Sequence, residues 1–200
     1  MKLYYSPGAC SLASHIALQE AGAAFSLEKA DLRAKKTESG ADFLAINPRG
    51  AVPALQLDSG DVLTEGVAIM QYVADNAKSP TTPAQGTVER ARLHEALNYV
   101  ASEVHKAYSP FFGPISEEAK AAQVALLNGR LAVIEGKLAD GRAFLTGETY
   151  SPADGYLFTV TNWSGMIGHD LSGFPRINAL RDRVAARPAV QAALKAEGLI

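Results

Sequence analysis

A single thiol, Cys10, follows the turn Ser6-Pro7-Gly8-Ala9 and immediately precedes a helical run from Ser11 to Ala21. A thiol at a helix start lies among unpaired backbone N–H groups at the positive end of the helix dipole, and both stabilise a thiolate. Strand, turn, Cys, helix is an arrangement used by redox sites, but position 13 is Ala, so no second thiol stands ready to close a disulfide. A mixed disulfide with an external thiol stays open, as does the plainer role of a small buried hydrophobe. A second candidate is Thr64-Glu65-Gly66, which opens another helical run. Thr64 can cap that helix, its first-turn N–H groups can hold a carboxylate, and Glu65 can meet a ligand ammonium. A plain cap with a dipole-favoured acid accounts for the same residues. The third is a polar stripe, His94, Asn98, Ser102 and His105, beside the apolar stripe Leu93, Leu97, Val100, Val104 and Tyr108. It either lines a cleft or faces solvent. Two histidines without a third ligand at recognised spacing do not make a metal site, and no metal is expected.

These residues need elements to place them. From 1 to 78, short apolar runs alternate with helical patterns, as in βα units. Lys2 to Tyr5 reads as a strand, Ser11 to Ala21 as a helix ended by Gly22, and Phe25 to Lys29 as a second strand. Ala54 to Leu57 and Asp61 to Leu63 flank the turn Asp58-Ser59-Gly60, a hairpin signal. A helix from Glu65 to Asn76 follows. Ser79 to Gly86 lacks periodicity, carries two prolines and reads as a linker. From 87 to 200 the pattern is helical throughout: Thr87 to Tyr108, Glu117 to Ala139, Ser151 to Met166, Pro175 to Ala186 and Pro188 to Ala196. At Ser151-Pro152-Ala153-Asp154 a capping Ser, a Pro at the first helical position and an Asp two further on mark one helix start. The expectation is an α/β domain over 1–78, a linker over 79–86 and an all-helical domain over 87–200.

Composition narrows the function. The 200 residues include 48% hydrophobic and 20% charged, an ordinary globular balance with enough apolar material for a sizeable core. A net charge of −2 supplies no cationic field for nucleic acid or anionic lipid. No apolar run approaches the roughly 20 residues that span a bilayer, so no membrane association is expected. One cysteine fits a reducing compartment, hence a cytoplasmic location.

Several segments together carry a resemblance: Tyr5-Ser6-Pro7-Gly8-Ala9-Cys10-Ser11-Leu12, Asn47-Pro48-Arg49-Gly50 with Val52-Pro53-Ala54-Leu55, Leu63-Thr64-Glu65, and the box at Ser151 to Asp154. The chain resembles, from Met1 to Ile200, a bacterial glutathione S-transferase of the cysteine-containing beta class. That resemblance implies a thioredoxin-like N-terminal domain followed by an all-α domain, in a homodimer that binds glutathione. It makes Val52-Pro53 a cis bond that presents the Val52 backbone to the cysteinyl part of glutathione. A local reading gives trans instead, since only about 5–6% of X–Pro bonds in folded proteins are cis. It makes Glu65 and the N–H of Gly66 the clamp for the γ-glutamyl end, and Lys35 a contact for the glycyl carboxylate. Cys10, His105 and Lys106 would surround the sulfur, with Ser11 able to polarise the bound thiol. Asn98 would reach glutathione held by the other subunit. Phe111, Phe112 and Trp163 are candidates for the wall that holds a small aromatic electrophile; plain core packing is the competing role for each. Two positions depart from the pattern: Gly66 stands where most relatives have Ser, and Gly155 takes the place of an apolar residue behind the helix cap, which leaves Tyr156 to substitute. The implied reaction is transfer of glutathione thiolate to an electrophilic carbon. A glutathione-dependent thiol–disulfide reductase working through Cys10 is the alternative, and a non-catalytic binder on the same fold is a third.

Overall fold

A computed structural model describes residues 1–77, 79 and 81–200; the expected first-domain end at Lys78, and Pro80 of the expected linker, lie outside the described residues. Two compact units emerge, Met1–Thr82 together with Arg187–Ile200, and Pro83–Ala186.

The first unit runs β1 (Lys2–Tyr5), α1 (Ser11–Glu20), β2 (Ser26–Asp31), β3 (Lys36–Thr37), α2 (Phe43–Ile46), β4 (Ala54–Gln56), β5 (Val62–Thr64) and α3 (Gly66–Asn76). Its sheet has the order β3-β2-β1-β4-β5, with β2 parallel to β1 and the other pairings antiparallel. Side chains of a strand alternate between faces, and β1 shows it. Leu3 and Tyr5 join Leu18 of α1, Leu55, and Ile69 and Val73 of α3 in one core cluster. Tyr4 joins Ala30, Phe43, Val52 and Ala54 in the other. The expected hairpin is present: Gly60, at φ 94°, donates its N–H to the Leu57 carbonyl at 2.9 Å. The sequence reading gave neither β3 nor α2. One has two residues and the other a single turn, too short for either period to register; the Asp42 carboxylate starts α2 by accepting from the Leu44 N–H at 2.9 Å.

The last helix differs from expectation. α9 (Pro188–Ala196) belongs to the first unit and packs along α1, although 87–200 was read as one helical domain. Val190, Ala193 and Leu194 are its buried face, and the Arg187 guanidinium grips the Glu20 carboxylate with two bonds of 2.5 and 2.8 Å. Periodicity reveals that a helix has an apolar face, not which core covers it.

The second unit holds α4 (Val88–Tyr99), α5 (His105–Tyr108), α6 (Glu117–Lys137), α7 (Pro152–Ile167) and α8 (Pro175–Ala185). Thr87 and Ser116 cap α4 and α6 through their hydroxyls. α4 and α5 are joined by a π turn, Val100–Val104, and a 3₁₀ turn, Ser109–Phe112, follows. The apolar stripe Leu93, Leu97, Val100, Val104 and Tyr108 is entirely buried. At the start of α7 the Asp154 carboxylate accepts from the N–H and hydroxyl of Ser151, each at 2.8 Å, and from the Leu145 N–H at 2.7 Å. Burial nevertheless pushes its pKa up to about 6. The Tyr156 ring lies edge-on to His105, while Tyr150 packs against Phe144.

Candidate active site

In the first unit Cys10 occupies the cap position of α1 with helical angles, φ −58° and ψ −20°, and its Sγ–H donates to the Val52 carbonyl at 3.1 Å. Val52–Pro53 is cis, as the resemblance implied and the local reading did not. The turn ahead of Cys10 closes through Ala9 N–H to Ser6 O at 3.0 Å, with Gly8 at φ 69°. Two long-range bonds fix this turn to the helix behind it. Glu197 accepts the Gly8 N–H at 2.9 Å through Oε2 and meets His15 Nδ1 at 2.9 Å through Oε1, and both side chains are fully buried. Ser11 is sealed from solvent, its hydroxyl donating to Ser6 O and accepting from Ser6 N–H at 3.2 Å each. In this structure that hydroxyl holds the turn through Ser6.

Thr64 is the last residue of β5 and does not cap α3. Glu65 takes the cap position at φ 66° and ψ 109° without a side-chain cap bond, a left-handed conformation costing a non-glycine residue about 1–3 kcal/mol. The α3 start thus keeps backbone donors for an anion, and the Glu65 carboxylate points outward into an ion pair with Arg49. A Cβ at Gly66 would lie 3.6 Å from Pro53 Cγ and 3.7 Å from Ser14 Oγ, ordinary contact distances. Ser14 Oγ is buried and has no hydrogen-bond partner. Lys35, at φ 55°, donates from Nζ to the Gly50 carbonyl at 2.8 Å. Within this one unit Lys35 bonds Gly50, its neighbour Arg49 pairs with Glu65 ahead of Gly66, and Cys10 bonds Val52 ahead of Pro53.

In the second unit His105 Nδ1 and Tyr156 Oη are 2.7 Å apart, and the His105 ring meets Trp163 edge-on with centroids 4.9 Å apart. Burial, with a smaller contribution from the Lys106 cation, pulls the His105 pKa down to about 4, so the imidazole is neutral at pH 7. Trp163 also packs against Tyr108 and Phe112, at 5.9 and 5.3 Å. Trp163 thus lies between His105 on one side and Phe112 on the other. Phe111 turns to a surface cleft with Val124, Ile167, His169 and Phe174. The polar stripe divides: His94 accepts from Arg90 Nε at 2.8 Å, Asn98, Ser102 and Lys106 are exposed, and His105 is half-buried. A π turn widens the helix by one residue, and such turns recur at functional sites; here it separates Asn98 from His105.

Three contributors escaped the sequence reading. Arg49 carries no signal of its own within Asn47-Pro48-Arg49-Gly50, Tyr156 is 51 residues from its partner His105, and Glu197 lies 187 residues from Cys10. Among the described residues no group of three His, Cys, Asp or Glu could hold a metal ion, and no helix is long and apolar enough to cross a membrane.

A cysteine-headed helix beside the Val52 carbonyl, an α3 start open to anions and a separate helical unit describe a two-domain protein with a thiol site, and the comparisons say which class it is. Residues 1–75 match the glutathione S-transferase N-terminal domain and residues 99–188 its C-terminal domain, and the chain belongs to the glutathione S-transferase family. It is 47% identical to glutathione S-transferase GstA of Escherichia coli O157:H7, over 100% of both chains. A sphingomonad glutathione S-transferase solved in complex with glutathione is 50% identical, with a TM-score of 0.95 over 100% of each chain. A bacterial beta class glutathione S-transferase from Sphingomonas chungbukensis is 48% identical, also at a TM-score of 0.95 over 100% of each chain.

Proposed function

We propose that this chain is a beta-class enzyme that joins the glutathione thiolate to small hydrophobic electrophiles such as activated aryl halides. The sulfur–carbon bond forms, the halide leaves with the bonding pair, and the thiol proton passes to solvent. The observation that carries this reading is the set of contacts made by Lys35, Glu65 and Cys10 in a thioredoxin-like unit of a glutathione S-transferase. In the proposed arrangement Lys35 takes the glycyl carboxylate, the Val52 backbone the cysteinyl part, and Glu65 with the Gly66 N–H the γ-glutamyl end. Cys10 takes the sulfur in the first unit; in the second, His105 with Lys106, and Trp163 with Phe112, are the groups proposed for the thiol and for an aromatic electrophile. A cytoplasmic location fits the single thiol and a thiol co-substrate.

Ionising the thiol supplies little of the rate. Lowering a thiol pKa from about 8.5 by about two units raises the thiolate fraction at pH 7 roughly 25-fold, while a Brønsted slope near 0.5 lowers intrinsic nucleophilicity roughly tenfold. The net gain is about two- to threefold, so positioning of sulfur against electrophile must supply most of the acceleration. A neutral His105 contributes as a hydrogen-bonding group held by Tyr156, not as a fixed charge.

The test is a pair of assays with glutathione, one on an activated aryl chloride and one on a glutathionylated disulfide, for the native enzyme and Cys10→Ala. Conjugation by both proteins is expected, with any disulfide turnover confined to the native one. Turnover of the disulfide alone would restore the reductase reading, which the comparisons do not favour.

A further inference from the structure

Building on that assignment of the γ-glutamyl end, we infer that Arg49 is a specificity residue that binds the α-carboxylate of the γ-glutamyl group while Glu65 takes its ammonium. An α-amino acid head carries both charges on one carbon. The surface at Glu65 carries the complementary pair already assembled, since Arg49 Nη1 lies against Glu65 Oε1. Both side chains are about two-thirds exposed, 68% and 64%, so the internal pair is weak and open to exchange. When the zwitterion enters, one internal pair is replaced by two intermolecular ones, and no charge is left unmatched.

Three features favour this role over an incidental surface contact. Arg49 is presented by a fixed loop: buried Asn47 accepts the Arg49 N–H at 3.1 Å and donates to the Ala51 carbonyl at 2.7 Å. Among the described residues its Nε and Nη2 have no partner, so donors remain for a carboxylate, whose two oxygens suit the guanidinium fork. Glu65 is held at positive φ with its side chain turned away from its own helix, which keeps carboxylate and guanidinium together. Position 66 is glycine, so no hydroxyl is present there to meet the ligand carboxylate, and the neighbouring Ser14 hydroxyl is buried out of reach. A ligand with only one of the two charges must break the Arg49–Glu65 pair and leave one partner unmatched, which is how the site would reject it.

Calorimetry on the full chain tests this with two ligands: glutathione, and 4-aminobutanoyl-Cys-Gly, which keeps the ammonium and lacks the α-carboxylate. Arg49→Gln should weaken glutathione binding about five- to tenfold and leave the analogue unchanged or tighter, because Glu65 is released from its internal pair. Arg49→Lys, which keeps the charge without the fork, should fall between. Equal weakening of both ligands would reduce Arg49 to ordering the loop and overturn the inference, and so would unchanged glutathione affinity. Failure of the native chain to bind glutathione at all would instead remove the underlying assignment.

Discussion

His105 and Asp154 lie in the same helical unit, and their burial acts on stability in opposite senses. For His105 the folded value is about 4 against an ordinary 6.5. Between those limits the unfolded chain binds the extra proton, so stability falls as pH falls. For Asp154 the folded value is about 6 against an ordinary 3.8, so the folded state binds the extra proton and stability rises as pH falls. In the native protein the two offset one another. His105→Gln should unmask Asp154, so that the unfolding free energy rises by about 1 kcal/mol as pH drops from about 6.5 to about 5. Asp154→Asn should show a loss of similar size over the same range. Glu28 does not intrude, because the Lys2 bond holds its pKa at about 2 and its contribution is lost only below its ordinary 4.5. Urea midpoints at several pH values decide the matter, and a flat or inverted slope in His105→Gln would refute the assignment.

Among the elements, the first turns of α1 and α3 are the two places where packing and binding meet. Glu197 joins the Gly8 turn to His15 of α1 from inside the protein, and Glu197→Ala should cost about 2–5 kcal/mol, because it removes the buried carboxylate that accepts from the Gly8 N–H and bonds His15. Chemical denaturation measures it, and a loss below about 1 kcal/mol would show that the brace is dispensable. At α3, Gly66→Ser fits the available space and brings a hydroxyl toward the unpartnered Ser14 Oγ. A gain of about 1 kcal/mol in stability is expected from satisfying that group. A thermal scan that shows no rise would mean the new hydroxyl points elsewhere. The contrast between these turns shows what was legible in sequence. Cys10 and Thr64-Glu65-Gly66 announced themselves by residue type at a helix start, and Leu93 to Tyr108 by period. Val52, Lys35 and Lys106 came only through the resemblance, since nothing local distinguishes them, and Asn98 was placed on a polar stripe by spacing but given its role by the resemblance. Glu197 and Tyr156 were silent because their partners, His15 and His105, are separated from them by 182 and 51 residues. Thr64 misled for a different reason: hairpin pairing claimed it for β5 before a helix could use it as a cap.

For the whole molecule, we propose a two-fold homodimer in which Asn98 of each chain completes the glutathione site of the other; its exposed place on α4 supports this reading. Dilution to monomer should then weaken ligand affinity, and glutathione should strengthen association by linkage. Asn98→Ala should cost about 1–2 kcal/mol in glutathione binding with the fold intact. Sedimentation over a wide concentration range, with and without glutathione, checks it, and a monomer that binds as tightly as any oligomer would show the site complete within one chain.

The brace at Glu197 also sets an order of events during biosynthesis. The segment Pro83–Ala186 is continuous in sequence, whereas the unit that carries Cys10 is complete only once α9 and Glu197 have been made. Domains usually fold in the order of their synthesis, but here a turn made before Pro83–Ala186 is locked by residues made after it. Until then the thiol sits on an unbraced loop, and a nascent or truncated chain ending before Arg187 would carry the cysteine without the support that places it.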